Sequence, residues 1–136
     1  MPVVTDPLKR KTVYTDIDLS FTPNPITKDI SIKKDEYAIK QALHTLVLTN
    51  FYEKPFHPEF GSQVNELLFE PITFITKERV KAAIINTIEN WEYRIVLMSV
   101  TVEVDEDRNS FNVSIVFRLA ESSNPISIDF ILYRSR

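Results

Sequence analysis

One glycine, Gly61, stands against eight prolines in a chain of 136 residues. Glycine takes positive φ without a Cβ clash, and proline fixes φ near about −65°. The chain therefore has a single position where the backbone can turn freely or approach another segment closely. That position closes the stretch Lys54-Pro55-Phe56-His57-Pro58-Glu59-Phe60-Gly61-Ser62. Pro55, Phe56, Pro58 and Gly61 read as a rigid structural connector ahead of an apolar helical segment. The aromatic rings of Phe51, Tyr52, Phe56 and Phe60 are expected to pack back onto the core. The same scarcity of glycine excludes a phosphate-cradling Gly-rich loop. It points to a rigid interaction module.

Hydrophobic spacing divides the rest of the chain. Ala38, Ile39, Ala42, Leu43, Leu46 and Val47 recur at helical spacing, predicting a helix from about Asp35 to Leu48 with Asp35 as cap or first-turn acid. A short helix is expected over Gln63 to Phe69, with Ser62 as candidate N-cap and Val64, Leu67 and Leu68 inward. A third is expected to start at Thr76 as N-cap, with Glu78 in its first turn. Its stripe is Val80, Ala83, Ile84, Thr87, Ile88 and Trp91. The period then changes from 3.6 to 2. Val96, Met98, Val100, Val102 and Val104 share one parity, followed by Phe111, Val113, Ile115, Phe117 and Leu119, then Ile126, Ile128, Phe130 and Leu132. The links are short and turn-rich, so these strands should form an antiparallel meander with one apolar face. The expected fold is α+β: three helices packed on one face of a small three-stranded antiparallel sheet. Residues 1–30, with the basic run Lys9-Arg10-Lys11 and the breaker Pro23-Asn24-Pro25, read as an extended N-terminal arm. Residues 31–136 read as a single α+β domain. Short extended pieces are expected over Val13–Phe21 and around Ile30–Ile32.

Composition narrows the function. The formal charge is −3 at neutral pH, which argues against nucleic acid as a partner. There is no cysteine and there are only two histidines, so neither a disulfide framework nor a thiolate or His-rich metal site is expected, and no cofactor is called for. His44 reads as a surface residue. The N-terminus lacks the plan of a secretory signal, and no apolar run is long enough to span a membrane, so a protein made in the cytosol is expected, with no membrane partner.

Three strands leave two sheet edges, and an edge presents unpaired N–H and C=O groups that a partner strand can use. The terminal strand has apolar residues on both parities, so Ile128, Phe130, Ile131, Leu132 and Tyr133 mark a candidate receptor edge. Residues 13–21 or 30–32 covering an edge within the chain is the competing reading. A second candidate is Glu92-Tyr93-Arg94, where the long helix runs into the first strand of the meander. The charged pair there either grips a partner or closes the domain internally.

These segments also resemble a known family. Tyr14-Thr15-Asp16-Ile17-Asp18, the Ala-Ile-Lys-Gln-Ala-Leu run at 38–43, Pro55–Gly61, Asn65-Glu66-Leu67-Leu68-Phe69-Glu70 and Asn90-Trp91-Glu92-Tyr93-Arg94-Ile95 are similar to the small baseplate wedge proteins of T4-like contractile-tailed phages. Relatives of that family occur in type VI secretion and other contractile injection baseplates. The family's Glu-Pro-Arg motif is kept here at its charged ends, Glu92 and Arg94, with Tyr93 between them. The resemblance implies an α+β fold and a structural role in the baseplate wedge. It implies binding of other wedge proteins through Glu92, Tyr93 and Arg94, several copies in a ring, and attachment of the tail sheath protein by strand exchange. Assembly would occur in the host cytoplasm, in a virion tail. Members are often labelled lysozyme-like. A glycosidase needs two carboxylates flanking a sugar, one kept protonated. Of the candidates, Glu59 lies in a proline-bounded loop, Glu66 on the solvent side of a helix and Glu70 at a helix end. Glu92 sits beside a cation that favours its charged form. No catalytic residue is assigned, and the chain is read as a non-enzyme.

Overall fold

The computed structural model describes residues 14–29 and 32–134. Lys9-Arg10-Lys11, Val13 and Ile30 lie outside the described residues. The chain divides into two compact units, one ending at Ile39 and the other beginning at Lys40.

In the first unit, β1 (Thr15–Ile17) and β2 (Ile32–Lys34) form an antiparallel ribbon, with Thr15 opposite Lys34 and Ile17 opposite Ile32. Asp35 prolongs it: its N–H donates to the Tyr14 carbonyl at 2.6 Å, and its carboxylate accepts the Tyr14 N–H at 3.3 Å. Side chains shape the loop between the strands. The buried Asp18 carboxylate accepts the Ser20 N–H at 3.0 Å, and Asn24 Oδ1 accepts the Ile26 N–H at 2.9 Å. Short polar side chains mimic a backbone turn in this way.

Helix α1 (Glu36–Leu48) begins where the Asp35 carbonyl accepts the Ile39 N–H at 3.1 Å. Asp35 serves through its backbone, because its carboxylate is turned to Tyr14. The helix stops where the Thr49 hydroxyl donates to the Thr45 carbonyl at 2.7 Å. Its apolar stripe, Ala38, Ile39, Leu43, Leu46 and Val47, is buried.

In the second unit, α2 (Val64–Leu67) is one turn long and shorter than its sequence pattern suggests. The chain after it continues in turns, and Val64, Leu67 and Leu68 are buried as expected. Ser62 does not cap it as N-cap. Gln63 holds that position without a side-chain bond, and Ser62 acts from one residue earlier: its hydroxyl accepts the Val64 N–H at 3.3 Å while donating to the Val47 carbonyl at 2.6 Å. Helix α3 (Phe74–Trp91) starts one turn earlier than expected. Its N-cap is Thr73, whose hydroxyl accepts the Thr76 N–H at 3.2 Å. Thr76 is itself buried and donates to the Pro71 carbonyl at 2.8 Å. Glu78 thus falls beyond the first turn. Val80, Ile84, Thr87 and Ile88 form the buried stripe.

β3 (Ile95–Asp105), β4 (Ser110–Leu119) and β5 (Pro125–Tyr133) form the expected antiparallel meander, in the order β3-β4-β5. Helix α3 lies against β3, and α2 against α3. The β4 row of Phe111, Val113, Ile115 and Phe117 is buried and forms the centre of the core. The uniform parity expected of β3 is wrong. Leu97 is opposite Phe117 but Ser99 is opposite Val116, so Met98 is one residue too many and makes a β-bulge. The bulge reverses which face each parity occupies. Ile95 is buried before it and Val100 and Val102 after it, while Val96 and Met98 are exposed.

Candidate functional site

The helix exit is built from two charges that satisfy each other. Glu92 ends α3, its N–H donating to the Ile88 carbonyl at 2.9 Å. Its carboxylate receives Arg94 Nε and Nη2, each at 2.7 Å, and the Arg94 N–H at 3.3 Å. The Glu92 side chain is 6% exposed and the Arg94 side chain 21%. The Arg94 carbonyl accepts the Ala120 N–H at 3.0 Å, which ties the junction into the β4 ladder. A bidentate pair of this kind fixes geometry as well as charge. It also turns the intervening Tyr93 outward, where it is 89% exposed.

The connector is a cinched loop. Gly61 has φ +131°, and a Cβ there would lie 2.7 Å from the carbonyl oxygens of both Thr49 and Asn50. Only a glycine allows that approach. The Ser62 N–H donates to the Thr49 carbonyl at 2.8 Å, and Asn65 Nδ2 donates to the Leu48 carbonyl and to Asn50 Oδ1, both at 2.7 Å. Asn50 in turn donates from Nδ2 to Glu53 Oε1 at 2.7 Å, and the Tyr52 N–H donates to the Pro58 carbonyl at 2.9 Å. Phe60 packs edge-on to Trp91, centroids 5.1 Å apart, with Lys54 Nζ 4.3 Å from its ring. The expectation that all four aromatics fold back fails at two of them. Tyr52 is 83% exposed and Phe56 97% exposed, with φ 68° and 66°. The turns that close the loop force both residues into the left-handed region, which aims their rings away from the core. A shallow cleft of about 440 Å³ lies beside the connector, with Phe51, Glu59, Gly61, Asn86 and Trp91 among its lining residues.

The third element is the edge of β5. The register from Ser110↔Tyr133 to Arg118↔Pro125 is unbroken, and the Arg134 N–H donates to the Asn109 carbonyl at 3.1 Å. Antiparallel pairs alternate between bonded and unbonded positions. Hence Ile126, Ile128, Phe130 and Leu132 bond to β4, whereas Ser127, Asp129, Ile131 and Tyr133 direct their peptide groups away from the sheet. Pro125 falls in the outward set, so its missing N–H costs the ladder nothing. Among the described residues no strand pairs with the outer side of β5 or of β3. Of the predicted edge residues, Leu132 is buried, Ile128 and Phe130 are partly buried on the core face, and Ile131 and Tyr133 are exposed. His44 is exposed and meets Phe130 edge-on, with ring centroids 5.3 Å apart.

The candidate acids are placed for structure. Glu70 forms a fork with Arg79 Nη1 at 2.7 and 2.8 Å, Glu92 is held by Arg94, and Glu59 and Glu66 are exposed. Among the described residues no cluster of His, Asp and Glu is arranged to hold a metal ion. Sequence reasoning missed the exposed Val96 and Met98. The available signal was Ile95 and Leu97, two apolar residues on the opposite parity. It also missed the link from Arg134 Nε to the Glu70 carbonyl at 3.2 Å, a pairing 64 residues apart with no local trace.

Comparison with known proteins agrees with this architecture. The profile of the family described as baseplate wedge protein gp25 matches residues 33–124. Baseplate wedge protein gp25 of Enterobacteria phage T4 is 31% identical over 114 residues, covering 84% of this chain and 86% of that protein. A Geobacter sulfurreducens crystal structure, provisionally named a tail lysozyme, superposes with TM-score 0.66 at 21% identity, covering 72% of this chain and 89% of the other. A chain of the anti-feeding prophage baseplate superposes with TM-score 0.61 at 19% identity, covering 91% of this chain and 87% of the other. A chain of the post-contraction R2 pyocin baseplate gives 0.51 at 17%, covering 84% and 98%.

Proposed function

Because the chain belongs to the baseplate wedge protein gp25 family, it is a structural component of a contractile-tail baseplate, and we propose that it joins the wedge proteins to the tail sheath. In this reading Glu92, Tyr93 and Arg94 bind wedge proteins, with the charged pair holding the backbone and Tyr93 making the contact. The edge of β5 accepts a strand of the sheath protein by β-augmentation. Several copies act in a ring, assembled in the host cytoplasm, without nucleic acid, membrane or cofactor. The observation that carries the reading is the outward peptide row at Ser127, Asp129, Ile131 and Tyr133. Each backbone bond made there is worth only about 0.5–1.5 kcal/mol net, so firm attachment needs several, repeated round a ring.

A phage tail is favoured over a secretion-system baseplate by the 31% identity to the T4 protein over 84% of this chain. The protein acts without catalysis. Arg94 engages both carboxylate oxygens of Glu92 and Arg79 engages both of Glu70, so neither side chain is presented to a substrate as one of a flanking pair. Zymography on peptidoglycan with the purified protein should show no clearing.

The test of the wedge contact is Tyr93→Ser, because Arg94→Ala would also strand a buried carboxylate. Tyr93→Ser should keep the wild-type melting temperature and lose co-purification with wedge partners. Recovery of those partners at wild-type yield would end the assignment. Ile131→Pro tests the edge: baseplates should form and sheath growth should fail.

A further inference from the structure

The two faces of β5 differ, and the difference specifies what can lie beside it. On the core face, Ile126, Ile128 and Phe130 stay only partly buried, while the β4 residues opposite them, Phe117, Ile115 and Val113, are buried. At the other edge of the sheet, Ile95, Val100 and Val102 of β3 are buried, and α3 lies against that strand. Leu132 is buried and His44 packs on Phe130, but over Ile126 to Phe130 the core face of β5 is, among the described residues, less completely covered than that of β3. On the outer face, a depression of about 580 Å³ is lined in part by Thr101, Glu103, Asn112, Asp129 and Ile131. Asp129 and Glu103 are both exposed there, and among the described residues neither forms an ion pair.

We propose that the segment received by β5 is a basic, apolar-alternating strand: apolar side chains over Ile128 and Phe130, and a lysine or arginine on the opposite face beside Asp129. The inference rests on β5 being the receiving edge, and it adds the chemistry of the occupant. Residues opposite one another across two strands share a face, so the incoming residue beside Asp129 meets the acidic outer face. Its two neighbours point to the core side. They cover the remaining exposed surface of the partly buried Ile128 and Phe130, removing it from water. A one-residue slip would bring the cation over Phe130 and an apolar side chain beside Asp129, so the charge also sets register.

The test uses the full chain, isotope-labelled for amide NMR, titrated with the peptide Thr-Val-Thr-Val-Lys-Val-Thr-Val-Thr and with the same peptide carrying Glu in place of Lys. The lysine peptide should shift and protect the amides of Ser127, Asp129, Ile131 and Tyr133. The glutamate peptide should bind about five-fold more weakly, the scale of one cross-strand charge pair reversed. Asp129→Lys should invert the order of the two peptides. Equal affinity for both peptides in wild type and variant overturns the proposal. So does a response at Val100, Val102 and Val104 of β3, or protection of β5 amides that grows with the concentration of the chain alone, which makes a second copy the occupant. The parallel measurement is sheath attachment. If Ile131→Pro blocks it while Asp129→Lys leaves it unchanged, the edge stands and the proposed chemistry fails. If Ile131→Pro attaches sheath like wild type, the edge reading itself fails.

Discussion

The connector at 49–65 and the edge of β5 treat their backbone polar groups in opposite ways. In the connector, the carbonyls of Leu48 and Thr49 and the polar groups of Asn50, Ser62 and Asn65 find partners within the loop or on the end of α1. Along β5, every second residue turns its peptide groups away from the sheet. Unmet buried polar groups are costly, whereas unmet groups at a solvated edge are tolerated and can be used. The connector is complete in itself and presents a fixed shape. Among the described residues no strand completes the β5 edge, which is the template of the proposed function. The difference separates what holds this fold together from what, in the proposed function, it offers to another chain.

Substitutions can break that contrast. The largest effect is expected at Gly61. Gly61→Val places a β-branched residue at φ +131° with its Cβ against two carbonyl oxygens. A loss of more than ~3 kcal/mol is expected, read as a collapse of the denaturant midpoint or as failure to fold. Near wild-type stability would show that the loop opens without cost and that the connector does not fix the fold. Next is Arg94→Ala, which leaves the buried Glu92 carboxylate without its fork. Allowing for the partial exposure of Arg94, a loss of about 1–3 kcal/mol should lower the melting temperature. An unchanged melt would mean that the pair does not hold the helix exit in the isolated chain.

Smaller effects sharpen the comparison. Ile131→Pro should shift stability by less than about 1 kcal/mol, since the lost N–H faces away from β4. A large loss would show that Ile131 is not at an outward position. The smallest effect is at Phe56, whose ring is 97% exposed at φ 66°. Phe56→Gly removes a strained residue without removing a buried contact, so stability should rise slightly, by up to about 1 kcal/mol. A clear fall in the melting midpoint would show that the ring packs in solution.

Much of this was legible in the sequence, for reasons that also mark where legibility stops. The stripes of α1 and α3 and the three alternating strands were visible because burial imposes period on sequence. The role of Gly61 was visible because only one residue type fits its backbone. The start of α3 was missed by three residues, because Phe74 and Ile75 are exposed apolar residues that break the stripe at its first turn. The bulge in β3 was hidden by an unbroken alternation from Val96 to Val104. Pairing with β4, not local pattern, decides which parity faces the core. At the candidate sites, the sequence pointed to Glu92, Arg94 and the terminal strand. It could not tell that the two charges grip each other, nor that, among the described residues, Ile126, Ile128 and Phe130 are less covered than Ile95, Val100 and Val102. Those are contacts between segments far apart in the chain.

The bulge has a consequence for how β3 tolerates changes in length. From Ile95 to Asp105 the strand has one residue more than the β4 segment it pairs with, and the surplus residue is Met98. Deleting a residue of β3 away from Met98 and its neighbour Ser99 would put part of the strand on the wrong face or force the bulge elsewhere. Deleting Met98 would bring Leu97 and Ser99 into direct succession opposite Phe117 and Val116. Both halves of the strand would keep their partners and their faces. The strand thus contains one place, the bulge at Met98 and Ser99, at which its length can change by one residue while the reading frame of side chains on either side is preserved.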